Sequence, residues 1–180
     1  MDFLIFLKPL YFMLPAYFAN MAPVPFRKIK LFSTPVDFGK KIKNEPVFGN
    51  HKTWRGLILA TIGGILIFYI QKLLYSRGIF HSLSLIDYNN FPVLFGALLG
   101  FGAIFGDLIK SFFKRRFSIA PGKKWIPFDQ IDLVVGALVF SCFYYVPPLF
   151  VWVYLLIITV PLHMIAKHLA YYSGIGNQKW

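Results

Sequence analysis

The sequence predicts an all-α polytopic membrane protein, and three features support this fold class. Of the 180 residues, 57% are apolar and 14% are charged, whereas soluble domains carry about a quarter charged residues. Aromatic residues make up 19% of the chain. The apolar residues also form runs that are too long for core strands but long enough to cross a membrane as helices. These features exclude soluble, disordered, collagenous and disulfide-rich secreted proteins.

Five apolar segments approach the roughly 20 residues that a membrane-spanning helix requires. They cover about 3–25, 56–75, 91–111, 130–146 and 149–166. Pro9 and Pro15 interrupt the first segment, and Pro147-Pro148 separates the last two because proline cannot continue a helix. We therefore expect one domain over residues 1–180, with its polar chemistry in the two longer loops, 27–55 and 112–129.

The basic residues predict how these helices are oriented. Nineteen Lys and Arg face seven acids, which gives a net charge of +12. Sixteen of the cations fall in 27–55, 110–124 and the C-terminal tail, and the positive-inside rule assigns these regions to the cytoplasm. The N-terminus should then lie outside and the C-terminus inside. Clusters at a membrane surface also suit anionic substrates, and we expect no nucleic-acid partner.

Four glycines on the third segment form two overlapping small-xxx-small patterns: Gly96, Gly100, Gly102 and Gly106. Such patterns are typical of helices whose backbones approach closely. They predict tight packing, either within the chain or against a second copy in a homodimer, and we assign these glycines no chemistry.

The third segment also carries charge on one face. At about 100° per residue, Asp107, Lys110, Ser111 and Lys114 fall within an arc of about 100°. A carboxylate inside a transmembrane helix is costly unless it faces protein, water or a cation. This face is therefore a candidate site.

Two further acids, Asp129 and Asp132, lie about one turn apart at the start of the next segment. Both helices enter the membrane from the loop that contains Pro121-Gly122-Lys123, so the two acidic faces could converge. Carboxylate oxygens are hard ligands suited to Mg²⁺, which often uses one or two carboxylates together with substrate phosphates. Flanking Lys and Arg suit a triphosphate. The constellation predicts phosphoryl or nucleotidyl transfer at the membrane surface.

Each part of this constellation also has a simpler interpretation. Asp129 could cap the fourth helix, with Asp132 in its first turn. Asp107 and Lys110 could form an i,i+3 ion pair, and the basic residues 114–116 could only set topology. From another class of protein, a noncatalytic membrane transport or assembly subunit is the alternative.

The first long loop contains a second polar group. Asn20 lies near the expected cytoplasmic end of the first segment, Asp37-Phe38-Gly39 follows, and residues 49–56 then read Gly-Asn-His-Lys-Thr-Trp-Arg-Gly. This run contains a Gly-flanked Lys-Thr but lacks the spacing of a phosphate loop. By composition it is a weak anion site. The four histidines have no metal-site spacing, and we treat them as interfacial residues.

Together these motifs resemble the CDP-archaeol synthase family, whose members are membrane cytidylyltransferases distantly related to CDP-diacylglycerol synthases. The matching residues are Gly49-x-His51-Lys52-Thr53-Trp54-Arg55-Gly56, Gly102-x3-Gly106-Asp107-x2-Lys110-Ser111-x2-Lys114-Arg115, Pro121-Gly122-Lys123 and Pro127-x-Asp129-Gln130-x-Asp132. The resemblance implies that CTP and a lipid phosphate give a CDP-lipid and pyrophosphate, with Mg²⁺ as cofactor. It implies an unsaturated archaetidic acid, 2,3-bis-O-geranylgeranyl-glycerol 1-phosphate, as the lipid.

The resemblance also implies roles for individual residues. The expected metal ligands are Asp107, Asp129 and Asp132, which with Lys110 and Lys114 make up the expected catalytic group. The expected substrate-binding residues are Asn20, Asp37, Lys52, Thr53, Arg55, Arg115, Gly122 and Lys123. The Asp-Arg-x-x-Asp signature of CDP-diacylglycerol synthases reads Asp129-Gln130-Ile131-Asp132 here, which favours the archaeol branch. A CDP-diacylglycerol synthase acting on phosphatidic acid is the enzymatic alternative.

Overall fold

The computed structural model describes residues 3–26 and 31–173. Positions 27–30 of the first predicted cytoplasmic loop, and the tail from 174 onward, lie outside the described residues. Within the described part the regular structure is helical apart from one small hairpin and one isolated bridge between Pro35 and Thr53, so the predicted all-α class is confirmed. The helices are α1 (Leu4–Phe12), α2 (Leu14–Met21), α3 (Trp54–Ser76), α4 (Phe95–Arg116), α5 (Phe128–Ser141) and α6 (Leu149–Tyr172).

The first predicted span is a bent pair of helices. α1 continues through Pro9 and ends at Phe12, and α2 begins one residue later with Pro15 in its first turn. Pro15 cannot donate to the carbonyl of the preceding turn, so the helix breaks here. The axes of α1 and α2 differ by 46°. The break directs α2 against α3, α4 and α5, whereas α1 packs on α6.

Three helices of the described chain, α3, α4 and α6, are long and apolar enough to cross a membrane, and the bent α1–α2 pair would make a fourth span. The remaining predicted span, 130–146, is shorter than expected because α5 ends at Ser141. The hydroxyl of Ser141 and the thiol of Cys142 both donate to the Leu138 carbonyl. Val146 then precedes Pro147, a position that disfavours helical backbone.

α4 lies at the centre of the bundle, where it contacts α2, α3 and α5. One edge of α4 meets α3 so closely that a Cβ on Gly100 would lie 2.7 Å from the Ala60 carbonyl oxygen. The other edge meets α5, and a Cβ on Gly106 would lie 2.1 Å from the Asp132 carbonyl oxygen. The glycine pattern therefore packs within the chain, which is the first of the two alternatives that it predicted.

α4 also extends beyond the predicted boundary near residue 111, to Arg116. Its last turn carries Lys114, Arg115 and Arg116, and cations there are stabilised by the partial negative charge at a helix C-terminus. The basic run is thus helical and continues the face that carries Asp107.

The first long loop forms a short hairpin before α3. Strands β1 (Lys41–Ile42) and β2 (Glu45–Pro46) pair antiparallel. The two residues between them, Lys43 and Asn44, both have positive φ, at 50° and 65°, which is the backbone of a type I′ turn.

Candidate functional site

The three acids of the predicted site meet at a single atom, the Nζ of Lys110. This nitrogen lies 3.0 Å from Asp107 Oδ1, 3.3 Å from Asp129 Oδ1 and 2.7 Å from Asp132 Oδ2. Asp107 comes from α4, and the other two carboxylates come from the first turns of α5. The close approach of α4 and α5 at Gly106 brings the two helices near enough for one lysine to reach all three.

Two other lysines contact the edges of this cluster. The ammonium of Lys52, from the residue before the N-cap of α3, pairs with Asp107. Lys114 donates to both oxygens of Asp129, at 3.0 Å each, and to the carbonyl of Lys123. The backbone N–H of Trp125 donates to Asp129 at 2.6 Å. The loop between α4 and α5 is therefore fastened to the same carboxylate that faces Lys110.

A polar cavity of about 240 Å³ opens beside the cluster. Its lining comes from α2, α4, α5, α6 and the 122–124 loop: Asn20, Asp107, Lys110, Lys114, Gly122, Lys123, Lys124, Asp129, Asp132, Leu133, His163 and Lys167. Five lysines against three carboxylates make this wall net positive. A cavity with that balance suits a polyanion such as a phosphate chain.

A second cavity of about 630 Å³ adjoins the first, and Asn20 and Asp107 line both. Its other walls come from the first long loop and the start of α3, including Asn50, His51 and Arg55. The Lys52–Asp107 ion pair lies between the two spaces. Asn20 and most of the 49–56 run of the first-loop constellation thus border a cavity large enough for a nucleoside.

Asp37 shapes the first loop rather than lining either cavity. Its buried carboxylate accepts hydrogen bonds from the backbone N–H groups of Gly39, Phe48 and Gly49, at 3.0, 2.9 and 3.3 Å. Burial acts to raise the pKa of the Asp37 carboxyl, but these three donors outweigh it and the pKa is lowered from its ordinary value. The carboxylate therefore orders the segment that leads into Lys52 and Thr53.

Two other predicted substrate-binding residues have different surroundings from those expected. Arg115 is buried at 7% exposure and lies outside the lining of both cavities, because it projects about 100° around α4 from Lys114. Thr53 lines the second cavity, and its hydroxyl also accepts the Gly56 N–H at 3.3 Å as the N-cap of α3.

Residues that the sequence interpretation set aside also belong to the site. His163 and Lys167 of α6 line the polar cavity. Their i,i+4 spacing puts them on one helix face, and this spacing is visible in the sequence. Arg116 donates to the carbonyls of Glu45 and Pro46, at 3.3 and 2.8 Å, and its guanidinium lies 5.2 Å from the Phe112 ring centre. It ties the hairpin to α4.

An apolar groove of about 380 Å³ runs along the outer surface of α4 and α5. Phe105, Ile109, Phe113, Val135 and Val139 are among its walls, and each is more than a third exposed. Lys110 and Asp132 line this groove as well as the polar cavity. The carboxylate cluster therefore borders both a polar chamber and an apolar surface.

The donor set of the cluster fits Mg²⁺, which takes oxygen ligands and prefers carboxylates. Three carboxylates aim at one point, and that point is held by the Lys110 ammonium. Within residues 3–26 and 31–173, no group of three or more His, Cys, Asp or Glu is arranged to hold a metal ion. The fit of the three carboxylates to Mg²⁺ therefore rests on the chemistry of their oxygens alone.

Fold and site together define a multi-pass membrane protein with a charged cavity between its helices. A family model described as CarS-like, CDP-archaeol synthase, matches residues 1–180. The chain belongs to the CDP-archaeol synthase family, and the family resemblance of the sequence motifs is confirmed.

Individual relatives match over nearly the whole chain. A Pyrococcus furiosus protein named CDP-archaeol synthase is 39% identical over 175 residues, covering 97% of this chain and 98% of that protein. A Methanocaldococcus jannaschii protein of the same name is 36% identical over 172 residues, covering 95% of each. A solved structure described as an intramembrane enzyme for archaeal membrane lipids biosynthesis has a TM-score of 0.69 at 27% identity. It covers 88% of this chain and 91% of that chain.

Proposed function

We propose that this chain transfers CMP from CTP to a lipid phosphate, producing a CDP-lipid and pyrophosphate. The lipid phosphate is of the unsaturated archaetidic acid type; the name of the relatives supports an archaeol-type lipid. The observation that carries the proposal is the meeting of three carboxylates from α4 and α5 beside a cavity with five lysines. Nucleotidyl transfer needs this combination of anion binding and cation coordination.

The reaction needs no nucleophile from the protein. An oxygen of the lipid phosphate attacks the α-phosphorus of CTP and forms a new P–O bond. The bond from that phosphorus to the bridging oxygen of the β-phosphate breaks, and pyrophosphate leaves with the electron pair. Because the attacking oxygen is already an anion, the protein acts mainly by positioning the two substrates in line.

The two cavities divide the work of binding CTP. The triphosphate lies in the polar cavity, where Lys114, Lys123 and Lys167 offer cations from three different elements. The nucleoside lies in the larger cavity, against the 50–56 segment. Asn20 contributes to both walls and positions the junction between the two parts of the nucleotide.

Asp107, Asp129 and Asp132 would hold Mg²⁺, which when bound neutralises charge on the triphosphate and the leaving pyrophosphate. The lipid approaches from the side of the apolar groove. Its phosphate reaches the region of Lys110, and one isoprenoid chain lies against Ile109 and Val135. This route keeps the chain in the hydrocarbon layer while the headgroup meets CTP.

We further propose five spans, with the N-terminus outside and the site at the cytoplasmic face. The support is the charge distribution, with sixteen of nineteen Lys and Arg on one side. α5, with 14 residues, extends about 21 Å, and residues 142–148 complete its crossing.

In a Cys142→Ser background, a membrane-impermeant thiol reagent on intact cells should label Arg77→Cys but not Lys41→Cys. The reverse labelling would invert the topology.

The experiment that tests the function is incubation of the purified protein with CTP, Mg²⁺ and a panel of lipid phosphates, with pyrophosphate and the CDP-lipid measured. We expect turnover with the unsaturated diether phosphate and CTP, and little with ATP. Preference for phosphatidic acid would identify the chain as a CDP-diacylglycerol synthase instead. Absence of pyrophosphate release with every lipid would favour the alternative that the chain is a noncatalytic membrane subunit.

A further inference from the structure

Lys110 makes more contacts with acids than an intrahelical ion pair requires. Its i,i+3 partner on α4 is Asp107, yet the ammonium also lies 3.3 Å from Asp129 and 2.7 Å from Asp132 on the neighbouring helix. The side chain of Lys110 is 14% exposed, and those of the three acids are 8–17% exposed. One ammonium thus contacts three mostly buried carboxylates, although Asp107 also pairs with Lys52 and Asp129 with Lys114.

Three carboxylates this close repel one another unless a cation lies among them, because the surroundings exclude most water. A single ammonium supplies one positive charge to that point. A divalent ion supplies two and is better matched to carboxylate oxygens than an ammonium is. The ammonium and a divalent ion cannot occupy the same point together.

We propose that Lys110 is a resident counter-cation, which holds the divalent-cation position in the metal-free protein and leaves it when the metal binds. This inference rests on the metal site of the proposed function. The side chain has somewhere to go, because Lys110 lines both the polar cavity and the apolar groove. After displacement its ammonium faces the region that the substrate phosphates occupy, so one lysine serves two successive roles.

A lysine with this role competes with the metal, and this predicts how a substitution changes Mg²⁺ binding. Lys110→Met keeps the length of the side chain but removes the competing charge. The variant should be less stable than the parent without Mg²⁺, since the three carboxylates then lose the cation that they share. It should also reach half-saturation at an Mg²⁺ concentration at least about tenfold lower than the parent requires.

The assay is thermal unfolding of the full-length protein in detergent against Mg²⁺ concentration, without CTP or lipid. Lys167→Met is the matched control because it removes a charge from the same cavity wall. Lys167 is not an ion-pair partner of the three acids in the part of the chain that the structure describes. Equal half-saturation for Lys110→Met and the parent, or no response to Mg²⁺ in either, would overturn the inference.

A second measurement uses the parent protein and does not depend on the variant folding. Reductive methylation followed by mass spectrometry reports how accessible each lysine amine is. Saturating Mg²⁺ should increase the modification of Lys110, because its ammonium is released from three carboxylates. Lys72, which donates to the carbonyls of Asn89 and Phe91, should not respond. Unchanged or reduced modification of Lys110 would contradict displacement.

These tests are independent of turnover. Both use Mg²⁺ alone, so their failure would refute the role of Lys110 while leaving CMP transfer to be judged by the assay with CTP and lipid phosphates. Conversely, displacement of Lys110 by Mg²⁺ in a protein that transfers no CMP would support the inference and refute the proposed reaction.

Discussion

Gly106→Ala tests whether the approach of two backbones sets the geometry of the site. The new Cβ would lie 2.1 Å from the carbonyl oxygen of Asp132 and 3.2 Å from the Cα of Gly136. All the nearest atoms are main-chain atoms, so no flexible side chain can move aside. α4 and α5 must therefore separate by about 1 Å at this level to restore an ordinary contact of roughly 3.4 Å.

Two losses follow from that separation. Overpacking of this kind costs about 1–3 kcal/mol, which lowers the melting temperature of a chain of this length by about 2–12 °C. Asp107 and Lys110 on α4 also move away from Asp129 and Asp132 on α5. A misplacement of about 1 Å in an active site can reduce turnover by about 100-fold.

The matched control is Gly96→Ala, on the same helix but three turns away at the interface with α3. Its Cβ would lie 2.5 Å from Phe68 Cβ and 2.6 Å from the Gly64 carbonyl oxygen. Thermal unfolding should show similar destabilisation for both variants, whereas pyrophosphate release should fall much further for Gly106→Ala. The reasoning is refuted if Gly106→Ala keeps the parent melting temperature and turnover, or if both variants lose equal activity.

Four further substitutions test other parts of the site. Asp129→Asn should lower Mg²⁺-dependent pyrophosphate release by about 100-fold or more while the protein still inserts; full activity would remove Asp129 from the metal site. Asp37→Asn should destabilise the protein at pH 7. The lowered pKa of Asp37 stabilises the parent above the ordinary Asp pKa of about 3.9, and this stability is lost as the pH falls. The difference in melting temperature between parent and variant should therefore narrow below about pH 4. A difference that stays constant with pH would contradict this. Arg116→Met should raise the KM for CTP several-fold with a smaller change in kcat, because the hairpin loses its tie to α4; an unchanged KM would show that the hairpin does not support the nucleotide site. Val135→Trp should raise the KM for the lipid phosphate and leave that for CTP unchanged, whereas Ile157→Trp on the exposed face of α6 should change neither; equal effects would show that the groove is not the lipid route.

The helical face of α4 was predictable because it depends on local geometry alone. The 100° periodicity places Asp107, Lys110 and Lys114 together, and all three line the polar cavity. The lengths of the apolar runs likewise predicted where α3 and α6 begin, to within a few residues. The convergence of α4 and α5 was also within reach, because one short loop connects them.

Other features depend on contacts between distant parts of the chain and could not be predicted. The hairpin consists of two-residue strands held by Asp37 and Arg116, and no periodicity marks such short strands. Lys167 was interpreted as a topology residue, because the sequence of α6 does not say which side of the bundle its polar face meets. The central position of Lys110 among three acids requires the distance between two helices, which is a tertiary quantity.

The break between α1 and α2 has a consequence for how α1 can influence the two cavities. α2 carries Asn20 about 10 Å beyond the break, so straightening the 46° bend would move that amide sideways by about 8 Å. Asn20 would then leave both chambers at once. A change in the tilt of α1 that straightened the bend would therefore alter both cavities without touching a charged group.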